Sequence, residues 1–120
     1  MKHLDPKIAA LMQEQNGVKL EQLEIGTTIE AQTTNSLYYI KVLGSGRFEV
    51  QGGKHFPRPT TTFINGSTWG GSMIKTKWLG IDMRIEMGHP LKASVLTTSP
   101  VQSLRIIGPD GSWNYLIEAR

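Results

Sequence analysis

From Gly26 onward, apolar residues recur at every second position in short runs, and glycine, proline or asparagine breaks each run before it reaches helical length. A period of two places alternate side chains on opposite faces of an extended chain, which commits this stretch to half-buried strands. Ile29, Ala31 and Thr33 alternate with Thr28, Glu30 and Gln32. Asn35-Ser36 turns the chain into the run Leu37 to Leu43, and Gly44-Ser45-Gly46 turns it again into Arg47 to Gln51. These segments predict a three-stranded meander. Gly52-Gly53 and Pro57-Arg58-Pro59 interrupt it, because proline donates nothing to a ladder, and they predict an extended edge or loop.

Thr60 to Ile64 reads as a fourth strand, with Asn65-Gly66 as the turn after it. Further on, the apolar set moves from even positions (Ile74, Thr76, Trp78) to odd ones (Ile81, Met83, Ile85, Met87). A one-residue slip reverses every side chain, so this parity change predicts a bulge or tight turn at Leu79-Gly80, with positive φ a candidate role for Gly80. Lys75, Lys77, Arg84 and Glu86 are then expected to face solvent. Ser99-Pro100 separates a strand over 93–97 from one over 101–107, and Pro109-Asp110-Gly111 turns the chain into the alternation Trp113, Tyr115, Ile117.

A helical period occurs once, where Ile8, Leu11 and Met12 lie between Asp5-Pro6 and Asn16-Gly17. Asp5 is the expected N-cap and Gly17 the C-cap of a helix over 5–16. So short a helix is marginal alone and must dock, either on the protein's own β core or on a partner. The resulting fold class is all-β: a small antiparallel barrel or sandwich of about eight short strands with one short N-terminal helix. Residues 1–120 are expected to form one domain, with its β part over 26–118.

Composition narrows the chemistry. The absence of cysteine excludes disulfides, thiolate metal sites and a cysteine nucleophile. No continuous apolar stretch approaches the ~18 residues of a membrane span or resembles a leader, so a soluble, cytoplasmic protein is expected, with no membrane partner. The net charge of +3 is modest, but residues 41–92 hold eight bases against three acids. A basic face is one outcome, provided the sheet gathers those side chains.

The run Gly66-Ser67-Thr68-Trp69-Gly70-Gly71-Ser72 is the strongest candidate site, a glycine-rich loop able to bring backbone close to a ligand or a second chain. It lacks the Gly-Lys-Ser/Thr ending of a phosphate loop, although a backbone nest for an anion stays open. Trp69 is either an exposed aromatic platform or a cap folded back over the barrel end. Lys75, Lys77 and Arg84 are candidate anion contacts, with Tyr39 and Lys41 on the polar side of another strand. His55 and His89 show no metal-ligand spacing, and no nucleophile elbow is present.

The segments Gly52-Gly53-Lys54-His55-Phe56-Pro57, Gly66 to Ser72, Trp78-Leu79-Gly80-Ile81 and Thr98-Ser99-Pro100-Val101 resemble a small uncharacterised bacterial all-β family over residues 26–107. The resemblance implies an all-β bacterial domain and carries over no catalytic or binding residue. The leading expectation is a non-enzymatic β-barrel module that assembles with itself or with another protein through the 66–72 loop. One alternative is nucleic-acid or anionic-ligand binding by the basic 41–92 section. A second is a small-ligand enzyme using His55 or His89 with Glu86. No metal or cofactor is implied.

Overall fold

The computed structural model describes residues 5–71 and 73–118. Helix α1 (Pro6–Gln15) starts as its sequence dictates, with Pro6 in the first turn and the Lys7 N–H donating to Asp5 Oδ1 at 2.8 Å. It ends one residue earlier than expected. Asn16 is the left-handed cap (φ 54°), its N–H donating to the Met12 carbonyl, while Gly17 opens strand β1 (Gly17–Lys19). Gly17 is needed there for space, because a Cβ would run into the Leu79 carbonyl and the Trp78 indole. Met12 is buried, and the Tyr115 hydroxyl lies 3.2 Å from the Ala9 carbonyl and 2.9 Å from Gln13 Oε1, which fastens the helix to the last strand.

After a 3-10 turn over Leu20–Gln22, the expected meander forms from β2 (Thr28–Thr33), β3 (Leu37–Gly44) and β4 (Arg47–Gly52). Ile29 faces Ile40, and Ile40 faces Val50, so one buried row crosses all three strands. The next strands are β5 (Phe56–Thr62) and β6 (Ile64–Thr68). They are followed by β7 (Lys75–Thr76), β8 (Trp78–Gly80) and β9 (Arg84–Gly88). The chain closes with β10 (Val95–Ile107) and β11 (Asn114–Glu118). The described residues therefore hold eleven strands rather than about eight. The main sheet is antiparallel in the order β5-β4-β3-β2-β10-β9-β6-β7, with β11 added on β10, while β1 and β8 form a separate pair. The all-β architecture with one short helix is as the periodicity requires.

Both proline segments lie within strands, the first as the extended edge expected of it and the second without the break expected at Ser99-Pro100. β5 runs straight through Pro57-Arg58-Pro59, which an edge strand tolerates because its outward N–H groups need no partner. β10 likewise runs unbroken through Ser99-Pro100. Its first part pairs with β9 and its second with β2 and β11, with register shifts between Thr97 and Pro100 and between Val101 and Ser103. Pro100 keeps Arg84 as its register partner directly after the first shift, and Thr98 and Ser99 are the residues skipped there. Phe63 alone joins β5, at one edge of the sheet, to β6 near the other. Thr62 Oγ1 donates to the Gly88 carbonyl and the Gly88 N–H to the Phe63 carbonyl, both at 3.0 Å, so the sheet curls around its core in a barrel-like form.

The parity change is a tight turn. β8 stops at Gly80, the Met83 N–H donates to the Gly80 carbonyl at 3.2 Å, and β9 begins with Ile85 and Met87 fully buried. Positive φ falls on Asp82 (68°) and not on Gly80. Gly80 is small for steric reasons, since a Cβ would lie 2.6 Å from Trp78 Nε1 and 2.8 Å from Met83 Sδ. A second break precedes it. Lys77 has φ 58°, which separates β7 from β8 and leaves Thr76 exposed and Ile74 half-buried while Trp78 goes inside.

Candidate binding groove

The stretch from Gly66 to Ser72 divides in two. Gly66, Ser67 and Thr68 belong to β6 and are buried, which corrects the reading of these three residues as loop. Ser67 Oγ donates to the Trp78 carbonyl at 2.6 Å and pegs the short strand β8 against β6. Thr68 Oγ1 accepts the Gly70 N–H at 3.1 Å and donates to the Gly71 carbonyl at 3.2 Å, closing a tight tip of Trp69, Gly70 and Gly71. With the Gly70 N–H used inside the tip, an anion nest loses one of its donors. Ser72 lies outside the described residues. Trp69 is 72% exposed, so the platform alternative holds and the barrel-end cap does not. Trp78 and Trp113 behave as core residues, the first buried and the second packed against the core.

Beside the tip lies a groove of about 570 Å³, within the usual size range of ligand and peptide sites. Trp69 and Met73 form its outer lip, with Met73 83% exposed, and Trp78, Ile81 and Met83 form its floor. The end of α1 approaches through Gln15 and Asn16. Two charges stand on the lining, Lys75 and Asp82, both exposed. Lys75 Nζ rests 3.9 Å from the centre of the Trp78 ring, a cation–π contact that holds the ammonium over an apolar surface. Asp82 is placed by its left-handed backbone and by its N–H, which donates to the Val101 carbonyl at 2.7 Å.

No protein family, curated protein or solved structure matches this chain. Its function must be argued from these side chains. Among the described residues, no helix is long and apolar enough to cross a membrane.

The three candidate anion contacts do not share a face. Lys75 enters the groove, whereas Lys77 lines a different cavity of about 290 Å³ with Arg47 and Glu21. Arg84 is half-buried, with its guanidinium 3.4 Å from the Thr98 carbonyl. Glu86 is also half-buried rather than free in solvent, and it accepts from Asn65 Nδ2 at 2.8 Å. The left-handed residue Lys77 and the turn at Gly80 to Met83 rotate the chain between these side chains, which is why strand alternation misplaces them.

His55 and His89 do meet, with ring centroids 5.1 Å apart in an edge-to-face arrangement. His89 Nδ1 accepts the Leu91 N–H at 3.0 Å, and no cluster of three metal-ligating side chains occurs among the described residues. Loss of hydration, then the nearby His55 and Lys92, hold His89 below the usual imidazole range. The folded chain therefore binds fewer protons than the unfolded one, so this contribution to stability is complete above the ordinary value near 6.5. It is lost as pH falls from there through the lowered folded value. Protonation also places a second donor against the Leu91 N–H. The Leu91 amide is expected to lose protection against hydrogen exchange as pH falls from the ordinary imidazole value near 6.5 through the lowered folded value. A protection factor constant over that range would contradict this account.

Proposed function

We propose that this chain is a binding and assembly module, non-enzymatic, that engages a protein surface, its own or another's, through the Trp69 tip and the groove beside it. The observation that carries this reading is Trp69 itself, 72% exposed on a tip that its own hydrogen bonds close. A large aromatic in water beside an exposed methionine is a patch of the kind that marks interaction sites, and tryptophan is prominent among residues that dominate interface energetics. The support beneath is ordered in advance. Ser67 pegs β8 and Thr68 ties Gly70 to Gly71, so little conformational entropy is left to lose on binding.

Trp69→Ala is expected to weaken association by about tenfold or more, while leaving the melting temperature nearly unchanged because the side chain packs little in the free chain. Light scattering across a concentration series, with capture from the source cell, measures the first quantity and calorimetry the second. A monomer at every concentration with no captured partner overturns the reading. Collapse of the fold in Trp69→Ala would instead assign the side chain to the core.

A further inference from the structure

We infer that the occupant of the groove is a second copy of this chain, related by a two-fold axis, with Lys75 of each copy paired to Asp82 of the other. The inference rests on the reading of the Trp69 tip as a protein-binding surface and adds the identity of the partner. A two-fold interface must be self-complementary, since the same patch meets itself with each residue contacting its counterpart's neighbour. This groove satisfies that condition in charge. It carries one cation and one carboxylate, both exposed, on a lining that is otherwise uncharged, apolar at Trp69, Met73 and Ile81 and polar at Gln15 and Asn16.

Neither of those two charges is matched by an opposite charge among the described residues of the single chain. Among the described residues the ion pair is Arg105 with Glu30 at 3.9 Å, and neither Lys75 nor Asp82 takes part in one. Lys75 lies over Trp78 instead, and Asp82 is held by a backbone conformation that few residues adopt. Two opposite charges outside any ion pair, on one lining with the exposed Trp69 and Met73, bring together in one patch the polar and apolar contacts that an interface uses. With its two charges cancelling, the groove favours neither an acidic nor a basic partner. The chain's net charge of +3 opposes self-association only weakly, since charges farther apart than about 8 Å are largely screened at physiological salt. Two exposed lip side chains supply only part of the roughly 800 Å² per partner of a standard interface, so association in the micromolar range is expected.

Sedimentation velocity on the purified chain, from about 1 to 300 μM, should show a concentration-dependent dimer. Lys75→Asp and Asp82→Lys should each weaken it by about tenfold or more. An equimolar mixture of the two variants restores an opposite-charge pair at both contacts and should associate close to the wild-type level. A mixture no tighter than either variant, or a wild type monomeric throughout, overturns the assignment. If Asp82→Lys fails to fold, Asp82→Asn keeps a residue suited to left-handed backbone. It should weaken the dimer severalfold, and no change in it would equally overturn the assignment. A wild-type monomer that still captures another protein in a Trp69-dependent way defeats the second copy alone. A monomer that captures nothing defeats the groove reading as well.

Discussion

Gly66→Ala is expected to destabilise the chain by roughly 2–4 kcal/mol and to free β7 from β6. Gly66 has φ 146°, a conformation essentially restricted to glycine, and a Cβ there would overlap the Lys75 carbonyl on the paired strand. The register shift between Ile64 and Gly66 against β9 shows why the backbone takes this shape: the strand bulges there while it also pairs with Thr76. A side chain at 66 must therefore either strain the bulge or expel the two residues of β7. Expulsion would carry Lys75 away from Trp78 and open the wall of the groove. Urea unfolding measures the stability change, and Gly71→Ala is the control, because its Cβ would meet nothing within 4 Å. A loss below about 0.5 kcal/mol for Gly66→Ala would show that the bulge relaxes freely. The residue would then be a connection of no special geometry.

The parts of this fold that were legible in the sequence are those set by neighbours along the chain. β2, β3 and β4 follow from alternation and from the turns at Asn35-Ser36 and Gly44-Ser45-Gly46, whose asparagine and glycines are residues that turns favour. Pro100 misled for the opposite reason, whereas Pro57 and Pro59 fall on an extended edge as expected. Whether Pro57, Pro59 and Pro100 break a strand depends on whether the missing N–H would have faced a partner, and that is decided by sheet order and bulges. Left-handed backbone at Lys77 and Asp82 was likewise hidden, since local sequence points to the adjacent Gly80. The site divides along the same line. Trp69 in a glycine-rich segment is visible as an oddity of composition, but Met73 and Asp82 carry no local signal. They become a groove only when β6, the turn after β8 and the end of α1 come together in three dimensions. The meeting of His55 with His89 has the same origin, as the two lie on separate turns that the curl of the sheet brings side by side.

Phe56→Ala should cost about 3–5 kcal/mol, a large share of the stability of a domain this size. Phe56 stands first among the fully buried side chains by volume, with no exposed surface, although it sits at the start of an edge strand beside two prolines. That position makes its packing decisive. β5 has a neighbour on one side only, Pro57 and Pro59 donate nothing to it, and its register with β4 shifts between Val50 and Gly52. Weak ladder bonding at this end leaves burial of the ring as the main force holding the start of β5 to the sheet. Truncation leaves a cavity that a chain so constrained by proline cannot easily fill, which places the expected loss in the upper part of the range for large-to-small changes. The melting temperature should fall by roughly 10–20 °C. Amides of β5 should lose hydrogen-exchange protection before those of β2 and β10, which lie in the middle of the sheet. Phe56→Leu keeps most of the volume and should cost less than half as much. Equal losses from the two substitutions would mean that the ring's shape, rather than its bulk, fixes the edge. A loss under about 1 kcal/mol from Phe56→Ala would mean that β5 is held by its ladder after all.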